Sequence, residues 1–283
     1  MHKASHPKHY ISQIGQYLHI ADLIIEVIDS RIPFTGKICD EVDAFRRKHR
    51  CLVFSKRDLM DTYEIQKWKT FYSQKSLKTI FVSLKDNISV KRMIAFLSSP
   101  SFRKREAIAV VVGLPNSGKS TFINLMKKKH SAPVGNRPGI TRGIQWLRIN
   151  ESLLLLDTPG IIRPSKIHDP EMTFKLFAVN SIDVKENDLQ EYTLRLVDFM
   201  KERYPEALYK RYDMSEKFLE EESSLEILKE IGKRRGLLSK KDTVDLHNTS
   251  MFFRDEVCSG RLGKIVLENV SDITNKERRD KSS

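Results

Sequence analysis

The run Gly113-Leu-Pro-Asn-Ser-Gly-Lys-Ser120 has the residue types and spacing of a site for phosphate. It follows the apolar stretch Ile108 to Val112 and precedes Phe122-Ile-Asn-Leu-Met126, which predicts a buried strand, a tight loop and an amphipathic helix. The glycines let successive backbone N–H groups curl round an anion, and the helix adds the positive end of its dipole. Lys119 then reaches the β- and γ-phosphates, Ser120 offers a hydroxyl to Mg²⁺, and Asn116, Ser117, Gly118 and Thr121 complete the nucleotide-binding loop. A plain Gly/Ser turn that opens a helix needs neither the strand before it nor the lysine. The chain is expected to bind a nucleoside triphosphate.

The elements that must hold this loop lie on both sides of it. Upstream, strand-like runs alternate with helical ones: Leu23 to Ile28 ends in Asp29-Ser-Arg31-Ile-Pro33, Cys51 to Phe54 ends in Ser55-Lys56-Arg57-Asp58, and Thr79 to Val82 ends in Ser83-Leu84-Lys85. Helices are expected over about Tyr10 to Ile20, Cys39 to Arg47, Tyr63 to Tyr72 and Val90 to Leu97. Such alternation predicts an α/β fold with a mostly parallel sheet, helices on both faces, and ligands at the carboxyl ends of the strands, where each polar cluster falls. Asp58 there can accept two hydrogen bonds from guanine, from N1–H and from the exocyclic amine, a pair of donors that adenine lacks. A carboxylate left unpaired by the wrong base loses a few kcal/mol. Lys-x-Asp alone is common as a turn and helix cap; Ser83 and Leu84 one strand later, whose backbone would support the base, make it a guanine signature. Beyond the phosphate loop, two strand-like runs cover Gly143 to Ile149 and Ser152 to Leu156, the second ending in Asp157-Thr-Pro-Gly160. Asp157 can hold Mg²⁺ through water, Thr141 is the natural second hydroxyl ligand, and the Gly160 amide can touch the γ-phosphate.

At 283 residues the chain accommodates one α/β domain and a smaller one. Its three cysteines, Cys39, Cys51 and Cys258, have no metal-ligand spacing and read as reduced thiols. No apolar run is long enough to span a bilayer, and the start lacks a signal-peptide core, so a soluble, cytoplasmic monomer is expected. The 50 Lys+Arg against 37 Asp+Glu, a formal charge of +13, favour a polyanionic partner.

In the common GTPase order the phosphate loop comes first and the guanine motifs last; here the guanine motifs come first. The chain resembles a circularly permuted GTPase over residues 1–175, and beyond that it is similar to the ribosome biogenesis GTPase A (YlqF/RbgA) family. The likeness rests on His6-Pro7-Lys8-His9, Ile28-Asp-Ser-Arg31-Ile-Pro33, Pro115-Asn116 in the loop, Ile231-Gly-Lys-Arg-Arg-Gly236, Phe253-Arg254-Asp255 and Ser259-Gly-Arg-Leu-Gly263. It implies a P-loop GTPase domain with a small all-helical domain after it, acting in late assembly of the large ribosomal subunit. Binding of GTP and GDP, contact with precursor rRNA, hydrolysis stimulated by the subunit, and release on hydrolysis are part of the same implication. It also implies that His9 is catalytic, since Ile161 after Gly160 cannot orient water, and that Asn116 ligates K⁺; the alternative for His9 is a surface cluster with His2 and His6. One departure is Ser55, where the family has Asn. A shorter side chain implies weaker guanine binding, by about 1 kcal/mol, with specificity kept by Asp58.

From Asp188 onward the pattern is helical, over Tyr192 to Tyr204, Glu206 to Tyr212, Ser224 to Arg235 and about Asn248 to Cys258. A helical RNA-binding domain over 176–270 would present Lys233, Arg234, Arg235, Arg254, Arg261 and Lys264 to phosphates, with a disordered tail over 271–283. Two other functions stay open at this point: a P-loop kinase, and a nucleotide-gated scaffold on small-subunit RNA or tRNA.

Overall fold

A computed structural model describes residues 19–39, 45, 48–99, 107–129, 146–150, 153–157, 169–240 and 242–274, with the side chains of 129, 146, 149, 150 and 157 left aside. The chain forms two compact units, residues 1–167 with 268–283, and residues 168–267. The first contains β1 (Leu23–Asp29), β2 (His49–Ser55), α1 (Thr62–Gln74), β3 (Lys78–Phe81), α2 (Asn87–Leu97), β4 (Ala107–Val112), α3 (Lys119–Lys129), β5 (Trp146–Asn150) and β6 (Leu153–Asp157). The strand order is β3-β2-β1-β4-β6-β5, every neighbouring pair parallel except the last, where β5 runs against β6.

Sequence dictates which strands are central. β1 is buried at every position and β4 at nearly every one, as expected for strands covered on both faces. On one face Ile25, Val27, Val53, Val111, Met93 and Phe122 form a continuous core. On α1, Trp68 and Tyr72 stack, Phe54 lies against Tyr72, and the rings of Phe54 and Phe81 stack at 4.4 Å. Asp61 caps α1 by accepting from the Tyr63 N–H, and Asp86 caps α2 by accepting from the Ile88 and Ser89 N–H groups. Glu26 interrupts the apolar run of β1. Its carboxylate accepts from the amides of Ile38 and Cys39 and so holds the segment that follows the strand.

The second unit is helical: α4 (Pro170–Ala178), α5 (Glu186–Arg203), α6 (Pro205–Tyr212), α7 (Glu216–Glu221), α8 (Ser224–Arg234) and α9 (Leu246–Ser259). Phe177, Leu196, Met200, Ile227, Ile231 and Phe253 are fully buried in it. The boundary expected after residue 175 falls inside α4, whose Phe174 and Phe177 rings pack on Phe199 and Tyr192 of α5. The other boundary also moves: residues 268–274 rejoin the first unit, 270–274 are helical and Ile273 is buried, while 275–283 lie outside the described residues. The expected Tyr10 to Ile20 helix and the body of the Cys39 to Arg47 helix also lie outside them.

Candidate functional site

The direction of chain connection reverses between β1 and β4: β1 leads outward through β2 and β3, β4 through β6. Ligands of open parallel sheets bind in the crevice at such a switch point, beyond the carboxyl ends of the strands. The phosphate loop leaves β4 there. Gly113 is forced by close approach, since a Cβ on it would lie 2.4 Å from the Val27 carbonyl oxygen. Gly118 has φ 93°, a conformation that favours glycine, and a Cβ there would meet Ser55 Oγ at 3.2 Å and Leu84 Cδ1 at 3.4 Å. The phosphate loop thus rests on the ends of β2 and β3, which brings Ser55 and Leu84 to it across long stretches of sequence.

Within the loop Asn116 is exposed and left-handed, at φ 57°. Ser117 Oγ is buried without a hydrogen-bond partner and sits 2.9 Å from where a Gly113 Cβ would be, so it lines the loop's hollow. Lys119 is buried at the head of α3, with Ser120 and Thr121 exposed in the first turn. An orphaned hydroxyl, left-handed turns and the amides of a helix start fit an anion. The exposed Ser120 hydroxyl and the register of Asp157 beside Val111, at the ends of adjacent strands, fit Mg²⁺ between loop and strand. Thr141, Gly160 and His9 lie outside the described residues, as does the Asp157 side chain.

Ser55 is completely buried, and its hydroxyl faces two carbonyl oxygens, those of Ser117 and of Ile28, the latter at 3.1 Å. It has one proton to donate, so it braces the loop against β1 or against Ser117 and has no exposed surface for the base. Asp58, in the short 3₁₀ turn Arg57–Leu59, is exposed and lies 3.7 Å from Lys85 Nζ. Arg57 N–H donates to the Val82 carbonyl at 3.2 Å, and Ser83 N–H to Ser89 Oγ at 3.0 Å, so the ends of β2 and β3 are tied together.

Lys56 turns away from this edge. It is left-handed, at φ 52°, and its ammonium sits 2.8 Å from Asp29 Oδ2. Asp29 also receives three hydrogen bonds from Arg31, from N and Nε at 3.0 Å and from Nη2 at 2.8 Å. Burial opposes ionisation of Asp29, but the adjacent Arg31 and Lys56 charges outweigh it and hold the carboxyl well below the usual carboxylate range. Sequence reasoning put Lys56 in the site and missed Asp29 and Arg31, which strand pairing brings to it.

The fold and this crevice define a phosphate-loop GTPase whose base-reading strands precede its phosphate loop in the chain. A family model described as 50S ribosome-binding GTPase matches residues 108–229, and the chain is 31% identical to ribosome biogenesis GTPase A of Bacillus cereus over 92% of this chain and 90% of that one. It is 32% identical to the protein of that name from Thermotoga maritima, over 93% and 91% of the two chains, and the crystal structure of GNP-bound YlqF from T. maritima superposes with a TM-score of 0.67 at 27% identity, over 91% and 97%. The chain belongs to the ribosome biogenesis GTPase A family.

In the helical unit the six expected phosphate contacts divide. Arg254 is buried over the Phe177 ring, 5.1 Å from its centroid, and is withdrawn as a surface cation. Arg234 bonds Glu230 and the carbonyls of Tyr212 and Asp213; Arg235 bonds the Arg211 carbonyl and lies over Tyr212. These two close the carboxyl end of α6 onto α8. Arg261 is half-exposed and paired with Asp255 and Glu256; Lys233 and Lys264 are exposed. Buried Glu256, which sequence reasoning passed over, also accepts two bonds from Arg211 and one from Tyr212.

Proposed function

We propose that this chain is a GTP-hydrolysing assembly factor of the large ribosomal subunit, which contacts precursor rRNA through its helical unit and leaves the particle when GTP is hydrolysed. The observation that carries the nucleotide reading is the packing of Gly118 against Ser55 and Leu84, which joins phosphate loop and guanine signature in one crevice. The ribosomal reading is supported by the names of the relatives, by the description of the family model and by the formal charge of +13. In this reading the loop amides and Lys119 bind the phosphates, while Asp58 and the Ser83–Leu84 backbone read the base. Ser120, Thr141 and Asp157 hold Mg²⁺, which when bound supplies positive charge beside the β- and γ-phosphates. Asn116 ligates K⁺, the Gly160 amide senses the γ-phosphate, and His9 orients the attacking water in place of Ile161. Lys233, Arg261 and Lys264 are the cations available to rRNA, with Arg234 and Arg235 sharing their charge with the carbonyls they bind. The chain acts as a cytoplasmic monomer; no helix among the described residues is long and apolar enough to cross a membrane.

The test is GTP hydrolysis by the purified protein alone, with large subunits and with small subunits, in K⁺ and then in Na⁺. Stimulation by large subunits alone, with loss in Na⁺, is expected. Equal rates with either subunit, or no stimulation at all, overturn the large-subunit reading. Sedimentation settles the kinase alternative, because a kinase of small molecules stays at the top of a sucrose gradient.

A further inference from the structure

After Ile167 the chain leaves the first unit, and it re-enters at Glu268. Glu268 is charged and yet buried, 1% exposed. Its carboxylate accepts from the Phe34 amide at 2.7 Å, from the Thr35 amide at 3.1 Å and from the Thr35 hydroxyl. A carboxylate is buried at this depth only where donors replace its water, and two successive amides with a hydroxyl do so here. Phe34 and Thr35 belong to the segment between β1 and β2, which follows Asp29, the last residue of β1, and contains Arg31. The same segment is held by Tyr72, whose hydroxyl donates to the Pro33 carbonyl at 2.8 Å, and by Glu26 at Ile38 and Cys39. Those two anchors come from the sheet and the helix covering it. Glu268 alone of the three reaches the segment from beyond the helical unit.

From Glu268 a chain of contacts runs to the base-reading edge. Thr35 lies four residues from Arg31, Arg31 is locked on Asp29, and Asp29 holds the Lys56 ammonium at 2.8 Å. Lys56 is the left-handed residue whose conformation starts the turn that presents Asp58. We propose that Glu268 is a positioning residue for guanine: it fixes the segment from Asp29 to Thr35, and through the Asp29–Lys56 pair it sets where Asp58 meets the base. The proposal rests on the guanine reading of Asp58. It makes nucleotide affinity depend on how the chain returns from the helical unit, so that a partner of that unit can change nucleotide exchange without touching the phosphate loop.

The test uses the full chain and compares binding of GDP with IDP, which lacks the exocyclic amine that Asp58 would accept from. Glu268→Ala is expected to weaken GDP about fivefold or more and IDP about twofold or less, so that the GDP:IDP preference falls. Glu268→Gln, which keeps a carbonyl for the amides and an amide for the Thr35 hydroxyl, is expected to restore most of the preference. A merely structural role lowers the melting temperature and leaves the ratio unchanged at temperatures well below it; an unchanged ratio overturns the proposal. If Glu268→Ala does not fold, the same ratio is read on Thr35→Val, where a fall supports the proposal and an unchanged ratio overturns it. Failure of the unaltered protein to prefer GDP over IDP would instead remove the Asp58 reading itself.

Discussion

In the proposed reading Asp58 is the residue on which base choice turns, and Lys85, an exposed ammonium, lies 3.7 Å from it. An exposed pair of this kind contributes little, about 0–1 kcal/mol, so the base displaces it at small cost. Asp58→Asn is therefore expected to lower the affinity for GDP by at least about tenfold while leaving phosphate contacts intact, as read by calorimetry with GDP and with pyrophosphate. Equal losses for both ligands would assign the effect to folding. Ser55 has a different job from the one its place in the signature implies. Its one proton goes to the Ser117 or to the Ile28 carbonyl, so the buried hydroxyl serves as a brace for the loop. His9→Ala is expected to leave GTP affinity unchanged and slow hydrolysis on subunits by about a hundredfold, the usual weight of a general acid or base. An unchanged single-turnover rate returns His9 to the cluster with His2 and His6.

Among elements, the segment that leaves β1 is densely tied. Asp29 there is a buried carboxylate between two cations, and its removal takes a charge partner from each. Asp29→Asn is expected to cost about 3 kcal/mol at neutral pH. The folded-state pKa is depressed, so this stability is fully present above the unfolded carboxylate value and is lost as the pH falls through the folded one. Below about pH 4 the gap between wild type and variant should therefore narrow, as urea titrations at successive pH values would record, and a constant gap contradicts the pairing. The strands of this unit were legible because central parallel strands must be apolar throughout, and the phosphate loop because contiguous residues carry it. Asp29 with Lys56 was not legible, since strand pairing brings them together and no spacing marks it. Nor was Glu268, whose partners Phe34 and Thr35 bind through amides and a hydroxyl far back in the chain. The cations of the helical unit show the opposite failure: sequence displays charge on Arg234, Arg235 and Arg254, but not the carbonyls and the ring that already occupy them. The helix α7 was missed because its 6 residues span too little of the helical period to show a face.

At the scale of the molecule, the helical unit is an insertion in the GTPase unit and has its own core, with Phe177, Met200, Ile231 and Phe253 all at 0% exposure. Residues 168–267 expressed alone are expected to melt in one transition with an enthalpy of about 60–80 kcal/mol, the value for a domain of about a hundred residues. A broad, non-cooperative melt would make the insertion dependent on its host. The nesting also orders events during synthesis, when the chain emerges from its amino end. Sheet and phosphate loop leave the ribosome first, the inserted helices next, and Glu268 only after them. The segment that carries Asp29 and Arg31 thus waits through the synthesis of an entire unit for its final anchor, across a sequence separation of 234 residues. Until Glu268 has emerged, the nascent GTPase unit has its phosphate loop but lacks this anchor, and on the role proposed for Glu268 its guanine pocket is finished only after the whole helical unit has been made.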